Sequence, residues 1–170
     1  MERSTPAPAV HNIPPVYNAR SRVLILGSFP SVKSREAQFF YGHPQNRFWR
    51  VLAAVLGRPV PGSVAEKRAL LLGGGVALWD VIAACEITGS SDSSIRGAVP
   101  NDVGPILAAA PIGAVFCNGQ TAGRLYDRLL RPALGREAAV LPSTSPANAA
   151  WTLPRLIGAW GEALAPWLPR

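Results

Sequence analysis

Hydrophobic residues fall along this chain in short unbroken runs separated by longer amphipathic stretches. Val23-Leu24-Ile25-Leu26 is the clearest run, stopped by Gly27, and has the continuous apolar character of a strand buried on both faces. Comparable runs stand at 76–82, 114–117 and 138–141, and the intervening segments 46–56, 64–72, 102–109, 120–130 and 151–164 have the length and apolar spacing of helices. Strands alternating with helices predict a parallel sheet, and right-handed crossovers put helices on both of its faces. The expected fold is therefore α/β, a three-layer α/β/α sandwich around a roughly four-stranded parallel sheet. The first 19 residues hold four prolines and little apolar periodicity. Residues 1–21 are expected to form an irregular N-terminal arm and 22–170 a single domain. In such sheets the ligand crevice lies beyond the carboxyl ends of the strands, where strand order reverses, so the loops that follow strands should carry the chemistry.

Composition adds a partner and removes several chemistries. Of the 170 residues 48% are apolar, enough for one core without staples. The balance of 17 basic against 10 acidic residues gives a net charge of +7, and 15 of the basic residues are Arg, whose planar fork matches phosphate oxygens. A nucleic acid is one partner that this charge fits. Cys85 and Cys117 lie 32 positions apart, without the paired spacing of a zinc or iron–sulfur site, so neither metal nor cofactor is expected. No apolar run has the length of a membrane span, and Glu2 and Arg3 followed by Pro-rich sequence do not read as a signal peptide. The chain reads as cytoplasmic and monomeric.

Three loops carry residue types that do chemistry. Gly27-Ser28-Phe29-Pro30-Ser31 follows the first strand; its glycine permits close backbone approach and its hydroxyls can hydrogen-bond. The next, Phe39-Phe40-Tyr41-Gly42-His43-Pro44-Gln45-Asn46-Arg47-Phe48-Trp49, crowds aromatics, a histidine and an asparagine against the start of a helix. Aromatic faces stack on bases, Arg pairs with phosphate, and Asn offers both a donor and an acceptor. Phe48 and Trp49 read as the buried face of that helix and Asn46 either as its cap or as a functional amide. The third loop, Leu141-Pro142-Ser143-Thr144-Ser145-Pro146-Ala147-Asn148, sets hydroxyls before the last helix, where small polar side chains and backbone N–H groups hold phosphate. The Ser-rich segment 88–97, with Asp92 and Arg96, reads as either a flexible loop or a phosphate contact.

Taken in order from residue 22 to the end, these segments resemble the uracil-DNA glycosylase superfamily. His43-Pro44-Gln45-Asn46-Arg47-Phe48-Trp49 is similar to a motif of the mismatch-specific uracil/thymine glycosylases, and Val115-Phe116-Cys117-Asn118-Gly119-Gln120 to their later strand–helix junction. The Gly-Ser-Phe-Pro turn followed by His-Pro-x-Asn instead resembles the DNA-deoxyinosine glycosylases, which implies that Asn46 is catalytic. Where the mismatch-specific enzymes have a water-positioning asparagine this chain has Ser28, and where their loop has a wedge leucine it has Ala147.

The resemblance implies a monofunctional DNA glycosylase acting on a deaminated base: hypoxanthine from deoxyinosine foremost, uracil or xanthine as further substrates. Such an enzyme flips its nucleotide out of the stack, at a cost that is smaller for weakly paired bases. Asn46 would position water beneath the anomeric carbon, with Ser28 and His43 as further catalytic candidates. Gly27, Phe29 and Tyr41 would contact the base. Ser143, Ser145, Asn148 and Arg47 would hold DNA phosphates. No lysine falls within these motifs, so Schiff-base lyase chemistry is not indicated. Two rivals share the same features: a non-catalytic module binding damaged or single-stranded DNA, and a small α/β enzyme acting on a free nucleotide.

Overall fold

The computed structural model describes residues 6–169. Its centre is a parallel sheet of four strands, β2 (Val23–Gly27), β3 (Val76–Asp80), β6 (Ala114–Asn118) and β7 (Ala138–Leu141), in the order β3-β2-β6-β7. All three pairings are parallel. The chain builds outward from β2 in both directions, so strand order reverses between β2 and β6.

The unbroken run in β2 has the burial that parallel strands demand, all five residues being inaccessible. Successive side chains point to opposite faces. Val23 and Ile25 enter one core with Phe48 and Leu52 of α2 (Phe48–Leu56), Leu71 of α3 (Val64–Gly73), and Leu156 and Trp160 of α7 (Leu153–Leu164). Leu24 and Leu26 enter the other with Ile106 of α4 (Gly104–Ala109), and Leu125 and Tyr126 of α5 (Gln120–Leu129). Two short helices, α1 (Val32–Ala37) and α6 (Arg131–Leu134), complete the helical set. The three-layer α/β/α sandwich is thus the architecture found.

The second layer also contains an unforeseen element. A three-stranded antiparallel sheet, ordered β1-β4-β5, is formed by β1 (Ala7–Val10), β4 (Ile82–Ile87) and β5 (Arg96–Pro100). Two expectations change with it. The apolar run at 76–82 is not one strand: it ends at Asp80, and β4 begins after Val81 in the other sheet. The N-terminal arm is not irregular throughout, since β1 pairs with β4 and Val16 bridges to Leu78. Ile13 and Val16 of the arm are buried in the first core, which binds the arm to the domain. Residues 1–5 of that arm lie outside the described residues.

Candidate active site

The carboxyl ends of all four parallel strands surround one pocket of about 190 Å³. β2 delivers Gly27 and Ser28, β3 Asp80, β6 Asn118, and the loop after β7 Ser143, Thr144 and Ser145. The loop before α2 closes one side with Tyr41, His43 and Asn46.

Asn46 is held in a hydrogen-bond chain through its Oδ1. Thr144 Oγ1 donates to its Oδ1 at 2.9 Å, and the backbone N–H of Phe48, the first residue of α2, donates to the same oxygen at 2.9 Å. Asn118 fixes Thr144 from the other side, its Nδ2 donating to Thr144 Oγ1 at 3.0 Å while its Oδ1 accepts from Thr144 N at 3.1 Å. A backbone N–H can only donate, so the amide orientation of Asn46 is determined. Both lone pairs of Oδ1 are used, and among the described residues Nδ2 has no protein partner. The group that Asn46 offers the pocket is therefore a donor.

Asp80 is the converse case. It is 4% exposed, and His11 Nε2 lies 2.8 Å from its Oδ2. His11 Nδ1 accepts from Ile13 N at 3.2 Å, so the neutral ring carries its proton on Nε2 and donates it to the carboxylate. Oδ1 of Asp80 has no partner among the described residues and lies against the pocket wall at Gly27. A Cβ at Gly27 would stand 2.3 Å from that oxygen and 3.1 Å from Tyr41 Oη, which is why glycine ends β2. The pocket floor thus presents to whatever enters it one acceptor that, among the described residues, no protein group satisfies.

Around these two groups the expected residues take distinct places. Ser28 Oγ donates to Asp92 Oδ1 at 2.8 Å, which commits its hydrogen and leaves its lone pairs to accept. Desolvation raises the Asp92 carboxyl above the usual carboxylate range; the Ser28 bond opposes this and the charge of Asp80 adds to it. Tyr41 occupies left-handed backbone at φ 51°, a strained conformation for a side chain of this size. Its ring stacks on Phe48 with centroids 4.2 Å apart, and its hydroxyl accepts from Asn118 Nδ2 at 3.1 Å. Burial and the Asp80 carboxylate hold that phenol far above its ordinary range, so it is neutral. Phe29 meets the His11 ring edge-on at 6.1 Å and lies beneath the Arg35 guanidinium. His43 Nδ1 accepts from Gln45 N at 3.1 Å, which places the proton of the neutral ring on Nε2.

Two of the expected phosphate ligands do other work. Arg47 spends its guanidinium on backbone carbonyls: Nη2 donates to Ser145 O at 2.8 Å and Asn148 O at 3.1 Å, Nη1 to Trp151 O, and Nε to Thr144 O at 3.4 Å. It holds the 144–151 loop in place and has no fork left for phosphate. Asn148 likewise ties the loop to itself through Ser143 O at 3.0 Å. Ser143 and Ser145 remain at the pocket mouth, their oxygens accepting from Ser145 N and Ala147 N and their hydroxyl hydrogens free to donate. His11, Asp80, Asn118 and Thr144 were not anticipated as site residues. For Asn118 the signal was its place at the end of a strand. For Asp80 it was a lone carboxylate inside an apolar run.

A model of the Uracil DNA glycosylase superfamily matches residues 14–163. A "Hypoxanthine DNA glycosylase" of Methanosarcina acetivorans is 39% identical over 137 residues, 79% of this chain and 85% of the relative. One of the same name from Methanosarcina barkeri is 35% identical over 152 residues, covering 88% and 94%. The solution NMR structure of a Methanosarcina acetivorans protein, described there as a candidate uracil DNA glycosylase, superposes with a TM-score of 0.75 at 34% identity, covering 88% of this chain and 92% of that one. The chain belongs to the uracil DNA glycosylase superfamily. It is accordingly a DNA N-glycosylase, a hydrolase of N-glycosyl bonds whose substrate is DNA.

Proposed function

We propose that this enzyme is a monofunctional glycosylase that releases hypoxanthine from deoxyinosine in DNA, the opening step of a base-excision repair. The relatives named hypoxanthine DNA glycosylase support this reading. The observation that carries it within the molecule is the unpartnered Oδ1 of buried Asp80. Hypoxanthine and uracil carry a ring N–H beside a carbonyl, whereas adenine and cytosine, from which they form by deamination, carry a lone pair there. A buried carboxylate oxygen accepts from the former and repels the latter. Enclosing that oxygen against a base that cannot donate to it costs about 1–3 kcal/mol, so the floor favours hypoxanthine over adenine and uracil over cytosine.

Hydrolysis breaks the bond between the sugar C1′ and the base nitrogen: the electron pair leaves with the base, water adds to the oxocarbenium-like sugar and sheds a proton to solvent, and the base anion takes up a proton from solvent. Asn46 Nδ2 donates to the water oxygen and fixes it, and Ser28 Oγ, its own hydrogen held by Asp92, accepts from one water hydrogen. The protonated Nε2 of His43 is a donor for the departing base. Lys33, the lysine nearest the first motif in sequence, is 60% exposed and lies beside Glu36, and among the described residues no lysine lines the pocket to support a Schiff base.

The test is alkali cleavage of labelled duplexes carrying one inosine, uracil or xanthine, with Asp80→Asn beside the wild type. The wild type should release hypoxanthine fastest, and Asp80→Asn should lose about 100-fold on inosine because a donor replaces the acceptor. Failure of the wild type to release hypoxanthine would sink the assignment. Equal rates in wild type and variant would leave the activity standing and remove Asp80 as the reader of the base.

A further inference from the structure

We propose that the groove between β5 and α5, lined by Arg96, Thr121, Arg124 and Arg128, holds the phosphodiester backbone of the substrate DNA beside the flipped nucleotide. Arg124 and Arg128 stand one helical turn apart on α5 and so share a face; Arg96 opens β5 opposite them. All three are exposed. Among the described residues none of them has a carboxylate within ion-pair distance. Arg124 Nη2 donates to Thr121 Oγ1 at 3.3 Å, and Arg96 Nη1 to the carbonyls of Ser93 at 3.2 Å and Ile95 at 2.8 Å. The neighbouring Asp127 lies against Arg131 instead, at 3.6 Å. Three guanidiniums line one groove whose single acidic lining residue, Asp92, is bonded to Ser28, and they form a seat for a polyanion.

Two further observations select DNA as the occupant. The groove adjoins the active-site pocket, since Asp92 lines both, its Oδ1 taken by Ser28 on the pocket side. Among the described residues the pocket rim, by contrast, is lined by no lysine or arginine, and the nearby Arg47 is consumed by carbonyls. DNA association is driven by cations that displace condensed counterions from phosphate, and this groove places such cations next to the base pocket. Only DNA as substrate is assumed, not which base is removed.

The test compares the full-length wild type with Arg124→Ser/Arg128→Ser, and with Arg20→Ser/Arg22→Ser as a control of equal charge change at the opposite end of the parallel sheet. Undamaged duplex is titrated by fluorescence anisotropy over a range of salt, and single-turnover base release from inosine duplex is measured at saturating enzyme. The groove variant should bind about 10-fold more weakly at low salt, with the slope of log affinity against log salt reduced by about 1–2, near 0.9 per lost phosphate contact. Its saturated base-release rate should stay within about twofold of wild type, and the control should bind as wild type does. Unchanged affinity and slope in the groove variant would overturn the proposal. So would an equal loss in the control, which would mark net charge alone as the cause. Because the binding probe contains no inosine, a failure there is separate from any failure of hypoxanthine release.

Discussion

The floor and the rim of the pocket are built on opposite terms. On the floor, Asp80 and Asn46 are each anchored through one oxygen, Oδ2 of Asp80 by His11 and Oδ1 of Asn46 by Thr144 with the Phe48 amide. The remaining acceptor and the remaining donor are fixed in direction before substrate arrives. At the rim, Ser143 and Ser145 fold back on the backbone two residues ahead, and only their hydroxyl hydrogens are left over. Those hydrogens meet water when the pocket is empty. Once a base fills the pocket and excludes water, the floor oxygen is satisfied only by a base that donates to it, whereas a rim hydroxyl that exchanges water for phosphate would gain about 1 kcal/mol. Under the proposed function the floor would discriminate and drive chemistry, and the rim would grip without choosing. Substitutions on the floor should therefore act on the base-release rate, and substitutions at the rim on binding.

The largest effect tests the floor directly. Asn46→Ala removes the donor from the reacting centre and should lower single-turnover release of the base by about 10²–10³-fold, the cost typical of losing one preorganised donor. It also leaves the Phe48 N–H at the start of α2 without its acceptor, so a stability loss of about 1 kcal/mol is expected in urea denaturation. Affinity for undamaged duplex should be unchanged. Release within 10-fold of wild type would break the contrast and pass the central role to Ser28 or His43.

A smaller effect is expected where floor and rim are joined. Arg47 holds the carbonyls of residues 144, 145, 148 and 151, and through that loop it places Thr144 against Asn46. Arg47→Lys keeps the charge and loses the fork, so it should cost about 2 kcal/mol of stability and about 10-fold in base release as Thr144 loosens. The salt dependence of DNA binding should not move. A slope reduced by about 1 with stability intact would instead return Arg47 to phosphate binding.

Much of the floor was hidden in the sequence for a physical reason. Strands buried on both faces are continuous apolar runs, so β2, β6 and β7 were legible, and the loops behind them led to Gly27, Ser28, Tyr41, His43 and Asn46, which all line the one pocket. The antiparallel sheet was not, because its outer strands carry Pro8, Gly97 and Pro100 at mostly exposed positions, residues that sheets tolerate at edges and that read as loop. Asp80 was masked by the apolar residues on both sides, since the run continues through Val81 and Ile82 into a different sheet. His11 meets it across 69 positions, and no local pattern reports a pairing that only tertiary folding creates. Arg47 misled for a related reason: its residue type fits phosphate, and only the folded loop reveals the four carbonyls that occupy it.

The smallest effect sharpens the comparison from the rim side. Ser145→Ala deletes one hydroxyl at the pocket mouth together with its acceptance from Ala147 N, a bond in an exposed loop where water substitutes for it. Loss of a single neutral donor to phosphate should weaken duplex binding by about 3–10-fold, with the salt slope unchanged because no cation leaves the interface. Saturated base release should stay within about twofold. A drop in that saturated rate as large as the drop in affinity would mean that the Ser145 hydroxyl strengthens its hold as the bond breaks. The rim would then share in the chemistry, and the division between a selecting floor and an indifferent rim would fail at this residue.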